Sequence, residues 1–150
     1  MFKGTKGGSP NASLLPINRD RVEAVLKAAD WKYWIDSDGD LGGNWDGNQF
    51  YFLFFGNANE ILQVRGRWKR ELPGVAEVSA ATVANAWNRD MIFPKVYVRA
   101  HDDEVFVYGE QSIDFEYGCT DEQLTLFIKA AIATCMQAFE KFAEHFADPT

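Results

Sequence analysis

The aspartates of residues 36–40 are the part of this sequence that most resembles a metal site, but their spacing fits one poorly. Asp36, Asp38 and Asp40 alternate like the first ligands of an EF-hand calcium loop. Such a loop also needs a glycine at its sixth position and a glutamate at its twelfth, where this chain has Leu41 and Gly47. We therefore predict a solvated turn with no bound metal and no cofactor, and keep calcium sensing as a lesser alternative.

The other reactive side chains lack the companions that catalysis requires. Three acidic residues follow His101 directly, and consecutive side chains in a tight turn diverge instead of converging on one ion. Cys119 precedes a helix start, which lowers a thiol pKa, but no base or oxyanion site accompanies it. Nucleotide-binding and hydrolase motifs are also missing from the sequence. We predict that the protein is not an enzyme and has no catalytic residues.

Charge and length narrow the class of protein further. The 150 residues carry a formal net charge of −7, which disfavours unspecific binding to nucleic acid or to anionic membranes. An apolar leader and a long apolar run are both missing from the sequence, so we expect a cytoplasmic protein with two reduced cysteines. Residues 1–13 are rich in glycine, serine and lysine and are expected to be flexible, whereas residues 14–150 are expected to form one domain.

Hydrophobic periodicity and turn residues predict the elements of the first half. A helix begins after Asn18, a good N-cap residue, and stops near Asp30. A short strand at residues 31–35 precedes a run of turn formers at residues 36–47. Two further strands, at residues 49–55 and 61–68, are joined by a hairpin turn at residues 56–59.

The second half contains two helices separated by two strands. Ser79 is expected to cap the first helix, which would bury Trp87 and Met91 and stop before Pro94. Strands follow at residues 95–99 and 104–111. Thr120 and Gln123 form a capping-box pattern that starts a last helix reaching about residue 146. Such a helix is long enough for its Phe-rich end to extend beyond the sheet.

The predicted order α-β-β-β-α-β-β-α indicates the α+β class. Hairpins join the strands and the helices stand apart, which favours an antiparallel sheet with helices packed on one face. The apolar set expected to face the helices comprises Leu62, Val64, Trp68, Val96, Val98, Val105 and Val107.

The opposite sheet face is the candidate binding surface. Alternation places arginines and aromatic residues there, a composition typical of interface hot spots rather than of a solvated sheet. The predicted partner-binding residues are Arg65, Arg67, Tyr97, Arg99, Phe106 and Tyr108. The alternative is that these side chains stack on one another and only cover the sheet.

Short motifs along most of the chain resemble the YbjN family, described as bacterial sensory transduction regulators with the fold of type III secretion chaperones. They are D-S-D-G-D-L after the first helix, V-R-G-R-W at residues 64–68, A-N-A-W-N-R at 84–89, F-P-K-V-Y-V-R at 93–99, V-Y-G-E at 107–110 and G-C-T-D-E-Q-L at 118–124. The resemblance implies a cytoplasmic, non-enzymatic protein that binds a protein or peptide, including a second copy of itself as a homodimer.

The leading hypothesis is therefore a regulatory or chaperone-like module that binds a protein through the aromatic and arginine face. The alternative is a small-molecule binder or enzyme with a cleft between the sheet and the helices, in which Asn85, Asn88 and Arg89 would supply polar groups.

Overall fold

A computed structural model describes residues 13–147 of the chain. Over that range the chain forms three α-helices, one 3₁₀ turn and seven strands in the order α-β-β-β-β-β-α-β-β-α. The helices are α1 (Arg19–Ala28), α2 (Glu77–Asp90) and α3 (Asp121–His145), and the strands are β1 (Trp34–Ile35), β2 (Leu41–Trp45), β3 (Asn48–Phe55), β4 (Ile61–Arg67), β5 (Leu72–Pro73), β6 (Lys95–His101) and β7 (Glu104–Asp114).

The strands form a single antiparallel sheet. β1, β2, β3 and β4 follow one another as hairpins, and β4 pairs with the second half of β7. The two-residue β5 pairs with the start of β7, on the same edge of β7 as β4. β6 pairs with the opposite edge of β7. The predicted α+β class with an antiparallel sheet is confirmed.

One face of the sheet, called the inner face, forms the core with α3. The Phe50 ring lies 6.3 Å from that of Phe139, and the Trp68 ring lies 6.0 Å from that of Phe142, measured between centroids. The predicted inner set is buried except for Val98, which is half-buried but still packs on the core. The apolar stripe of α3 therefore meets the apolar face of the sheet, as the two periodicities require.

Two glycines allow this close packing. Gly66 and Gly109 are opposite one another on β4 and β7, on the inner face. A Cβ atom at Gly66 would lie 2.6 Å from the Phe50 ring, and one at Gly109 would lie 3.1 Å from the Cys135 sulfur. Any larger side chain at Gly66 would displace Phe50.

The segment between α1 and β3 differs from the prediction. Residues 36–47 do not form one turn, because Leu41–Trp45 pairs with both β1 and β3. Its Gly42 and Gly43 suggested a turn, but they provide space for aromatic rings. A Cβ at Gly42 would lie 2.6 Å from Trp34 and one at Gly43 would lie 2.6 Å from Trp45.

The start of α2 also differs from the prediction. Ser79 is not its N-cap: a 3₁₀ turn at Gly74–Ala76 leads directly into Glu77, and Ala76 holds the cap position without a side-chain hydrogen bond. Trp87 is buried as expected, and its indole nitrogen donates to the Pro94 carbonyl oxygen at 3.1 Å. Met91 follows the helix and is 44% exposed, so the expectation that it faces inward is wrong.

Both ends of α3 can be compared with the prediction. The capping box of Thr120 and Gln123 is present: the backbone N–H of Gln123 donates to the Thr120 hydroxyl at 3.1 Å, and the backbone N–H of Thr120 donates to the Gln123 side-chain oxygen at 2.9 Å. The Phe-rich end does not extend beyond the sheet, because Phe142 is fully buried. None of the helices in residues 13–147 is long and apolar enough to cross a bilayer.

The prediction of a flexible segment at residues 1–13 falls, apart from Ser13, outside the described residues.

Candidate functional site

The sheet face opposite the core, called the outer face, carries all six predicted binding residues. The register pairs Arg67 with Tyr108, Tyr97 with Tyr108, and Arg99 with Phe106. Arg65 pairs with Glu110 on the same face. Side chains here are half-buried or exposed, with the exception of Glu110, so none of the three described helices covers this face.

Glu110 forms a compact ionic cluster on the outer face, called the Glu110 cluster. Its side chain is only 6% exposed, although it lies outside the core. Arg65 Nε donates to Glu110 Oε1 at 2.7 Å, and Lys95 Nζ lies 3.2 Å from Oε2. The Tyr97 hydroxyl also donates to Oε1. Neighbouring strands therefore hold the carboxylate from both sides, which satisfies its acceptors despite its burial.

Two pKa shifts follow from this arrangement. Burial raises the pKa of Glu110, but hydrogen bonds from Tyr97 and Lys95 and the charge of Arg65 outweigh it, so the pKa lies below its ordinary value. The pKa of Tyr97 is raised, mainly by burial and to a smaller extent by the hydrogen bond to Glu110. The carboxylate is thus ionised and the phenol protonated at neutral pH, which fixes the direction of each hydrogen bond.

A second group on this face is built around Phe106. The Arg67 guanidinium carbon lies 5.3 Å from the centroid of the Phe106 ring, within the range of a cation–π contact. Arg99 is directly opposite Phe106 on β6. Beside it, the rings of Tyr97 and Tyr108 stack with centroids 5.2 Å apart and planes 12° from parallel. Self-stacking, the alternative interpretation of this face, therefore accounts for part of it.

The outer face continues as an apolar surface on β3. Tyr51, Leu53 and Phe55 alternate with the buried Phe50 and Phe52 and are half-buried or exposed. At the far edge the Trp34 and Tyr51 rings meet edge-on, with centroids 6.2 Å apart.

The period of two along β7 puts Glu110 on the same face as Phe106 and Tyr108, but it does not show that Glu110 is the centre of a cluster. Alternation alone would have suggested an exposed acid. The available signal was its register, which places Glu110 between Arg65 and Lys95 and can be deduced only once the strand pairing is known.

The three polar residues suggested for a cleft do not line one. The Asn88 side chain bonds the backbone of Val96, accepting from its N–H at 2.9 Å and donating to its C=O at 2.8 Å. Arg89 pairs with its neighbour Asp90 at 2.8 Å. Asn85 is exposed. These three residues therefore do not converge on a common site.

A groove does exist, but it lies between α2 and α3 and not between the sheet and the helices. Its volume is about 780 Å³. The lining residues are Thr82, Val83, Ala86, Trp87, Asp90 and Met91 from α2 and the adjoining residue, and Gln137, Glu140, Lys141, Glu144 and His145 from α3. Asn85, Asn88 and Arg89 are not among them.

The aspartate turn and the cysteines show no sign of a reactive centre. Asp36 Oδ1 accepts the amides of Asp38 and Asp40, each at 2.9 Å, which closes the β1–β2 turn. Within residues 13–147, no group of three or more His, Cys, Asp or Glu side chains is arranged to hold a metal ion. Burial raises the pKa of Cys119, an effect that nearby Arg21 opposes, and burial raises the pKa of Cys135 to about 12.

Comparison with known proteins identifies the family. The model of the family named YbjN, described as "Putative bacterial sensory transduction regulator", matches residues 18–144. The chain belongs to the YbjN family. This match spans nearly the whole described fold, including every strand of the outer face. No curated protein matches the chain.

Solved structures show that the YbjN family fold is shared more widely. One is the crystal structure of YbjN from E. coli, described as "a putative transcription regulator". It superposes on this chain with a TM-score of 0.74 at 19% identity, and the match covers 92% of this chain and 100% of that one. A chain of the HopA1-SchA chaperone-effector complex gives a TM-score of 0.55 at 14% identity, covering 86% and 99% respectively. At these identities the likeness establishes the fold, and the predicted secretion-chaperone-like architecture is confirmed.

Proposed function

We propose that this YbjN family member is a non-enzymatic, cytoplasmic protein-binding module that acts as a regulator or chaperone-like protein through its outer sheet face. The partner is a protein or peptide, with a second copy of the chain as one case. The matched complex contains a chaperone and its effector, which supports a protein partner for this fold. That support is an analogy of fold, so the argument for the face must come from its residues.

The observation that carries the proposal is the uncovered outer face. Antiparallel sheets that face water usually alternate apolar residues inward and simple polar residues outward. Here the outward positions hold Tyr97, Tyr108 and Phe106, and the surface continues through Leu53 and Phe55. Aromatic residues and arginine are enriched where binding energy concentrates. We infer that this surface is fixed in place for contact with another protein.

Site-specific photo-cross-linking in the native cell tests the proposal. A photoreactive amino acid would replace Tyr108 on the outer face, and in a matched variant it would replace Leu126, which is 71% exposed on α3. We expect Tyr108 to yield a discrete cross-linked protein and Leu126 to yield none. Mass spectrometry of the product distinguishes another protein from a second copy of this chain.

The opposite pattern would overturn the proposal. Cross-links that form only from Leu126 would place the contact on the helical side. Cross-links from neither position, with both variants folded by circular dichroism, would show that the outer face merely covers the sheet.

A further inference from the structure

We infer that the outer face carries a carboxylate-binding site at Arg67, Phe106 and Arg99, and that its ligand is an acidic segment of a partner protein. This inference rests on the proposed function, since it specifies the chemistry of the partner at that face. The inference depends on which cations of the outer face already pair with an acidic side chain and which do not.

The cations of the outer face fall into two groups. Arg65 and Lys95 both contact the Glu110 carboxylate and belong to the Glu110 cluster. Arg67 and Arg99 form no ion pair with any acidic side chain in residues 13–147. The two unpaired arginines are therefore the ones available to an incoming anion.

The fold brings these two arginines toward the same ring. They emerge on the same face from β4 and β6, the strands on either side of β7. Their registers differ by two residues, so their Cα atoms are separated by roughly 10 Å across the strands and about 7 Å along them. Arg67 reaches over Phe106, and Arg99 is opposite Phe106, so their long side chains can approach one carboxylate above that ring.

The chemistry of this arrangement suits a carboxylate. A guanidinium group presents paired N–H donors that match the two oxygens of a carboxylate. Stacking of Arg67 on the ring restricts its rotamers, which lowers the entropy lost on binding. The neighbouring Tyr97–Tyr108 stack offers an apolar contact for the residue next to that carboxylate.

A protein segment fits the charge balance better than nucleic acid does. The net charge of −7 repels an extended polyanion, and two unpaired arginines supply few of the phosphate contacts that nucleic-acid binding uses. A short acidic segment interacts mainly with charges within a Debye length of about 10 Å. Near Phe106 these are the two unpaired arginines and one exposed acid on the same face, Glu104, so the local charge is positive although the chain as a whole is negative. We therefore assign the site to a protein carboxylate rather than to a phosphate.

Fluorescence anisotropy with a defined probe tests the inference. The probe is a labelled nonapeptide, Gly-Glu-Trp-Glu-Gly-Glu-Tyr-Glu-Gly, and its matched control has every Glu replaced by Gln. The full chain is compared with the double variant Arg67→Gln/Arg99→Gln. The control variant Lys32→Gln/Lys129→Gln has the same net charge and removes two exposed cations elsewhere. We expect the acidic peptide to bind the wild type and the lysine control alike, and the arginine variant about tenfold or more weakly.

Several outcomes would overturn the inference. They are equal binding of the glutamine peptide, equal loss in the lysine control, tighter binding of a twenty-residue oligothymidylate, or no carboxylate-dependent binding at millimolar peptide. If any of these occurs while Tyr108 still cross-links a partner, the carboxylate site is wrong and the proposed function stands. If Tyr108 yields no partner, the proposed function itself fails.

Discussion

Glu110 shows how a single residue can be buried at the surface of a sheet. Its carboxylate receives hydrogen bonds from Arg65, Tyr97 and Lys95, contributed by the strands on both sides. A charge that is removed from water is stable only when its partners replace the lost hydration. The Glu110 cluster therefore fixes the positions of Arg65 and Tyr97, and leaves Arg67 and Arg99 without an acidic partner among the described residues.

The Glu110 cluster should give the fold a measurable acid sensitivity. The pKa of Glu110 in the folded chain lies below its ordinary value of 4.5, so its contribution is complete above that value and is lost as the pH falls through the folded pKa. We expect Glu110→Gln to lower the unfolding free energy by about 1–2 kcal/mol near neutral pH, with a smaller difference in acid. Urea unfolding across a pH series measures both.

A matched control separates the Glu110 cluster from a general charge effect. Glu104 lies on the same strand and face but is exposed, without an ion pair among the described residues. Glu104→Gln should change the unfolding free energy little at any pH. An equal acid sensitivity in wild type and Glu110→Gln would contradict the role given to the Glu110 cluster.

At the scale of elements, β6 shows how an exposed sheet edge is managed. An unpaired edge offers backbone donors and acceptors to other strands and invites aggregation. Here α2 runs alongside β6, and the Asn88 amide satisfies both the N–H and the C=O of Val96. One polar side chain on a helix thus replaces part of a neighbouring strand and ties α2 to the edge.

Loss of the Asn88 side chain should destabilise the β6 edge of the sheet. Asn88→Ala removes both hydrogen bonds to Val96, and we expect the unfolding free energy to fall by about 1–3 kcal/mol. The freed edge should also increase concentration-dependent light scattering during unfolding. Asn85→Ala, at an exposed position on the same helix, serves as the control. An Asn88→Ala protein as stable as the control would show that the edge needs no cap.

At the scale of the whole molecule, all the described helices leave one sheet face uncovered. α3 covers the inner face through contacts such as Phe50 with Phe139, whereas the outer face holds only its own side chains. The asymmetry matches the alternation of the strands, because their buried apolar side chains, such as Phe50 and Phe52, lie on the inner face. The two sides of β3 should therefore respond very differently to the same substitution.

Adjacent residues of β3 provide that comparison. Phe52 is 1% exposed in the core, and Leu53 is half-buried on the outer face. Phe52→Lys would bury an unpaired charge, and we expect it to cost more than about 4 kcal/mol and to unfold the chain. Leu53→Lys should cost less than about 1 kcal/mol and retain the native circular dichroism spectrum. Equal loss of structure in the two variants would show that the outer face belongs to the core.

Local patterns determined most of the elements of this protein. The N-cap at Asn18, the capping box at Thr120 and the alternation of β4 and β7 are short-range signals, and each was predicted at the right place. Alternation also assigned the six predicted binding residues to one face, because side chains on a strand change sides at every residue. Their role in binding remains a prediction.

Only the tertiary structure decided the features that depend on residues far apart in the chain. Gly42 and Gly43 of β2 suggested a turn in the sequence. Their role is to leave space for the Trp34 and Trp45 rings, which is visible only once the strands are paired. The start of α2 follows from the 3₁₀ turn at Gly74–Ala76 that leads into it, not from a cap at Ser79. Strand register decided which arginines have an acidic partner. The alternation of side chains along a strand does not fix that register. The sequence thus determined which side chains share a face, and the fold decided which of them remain available for a partner.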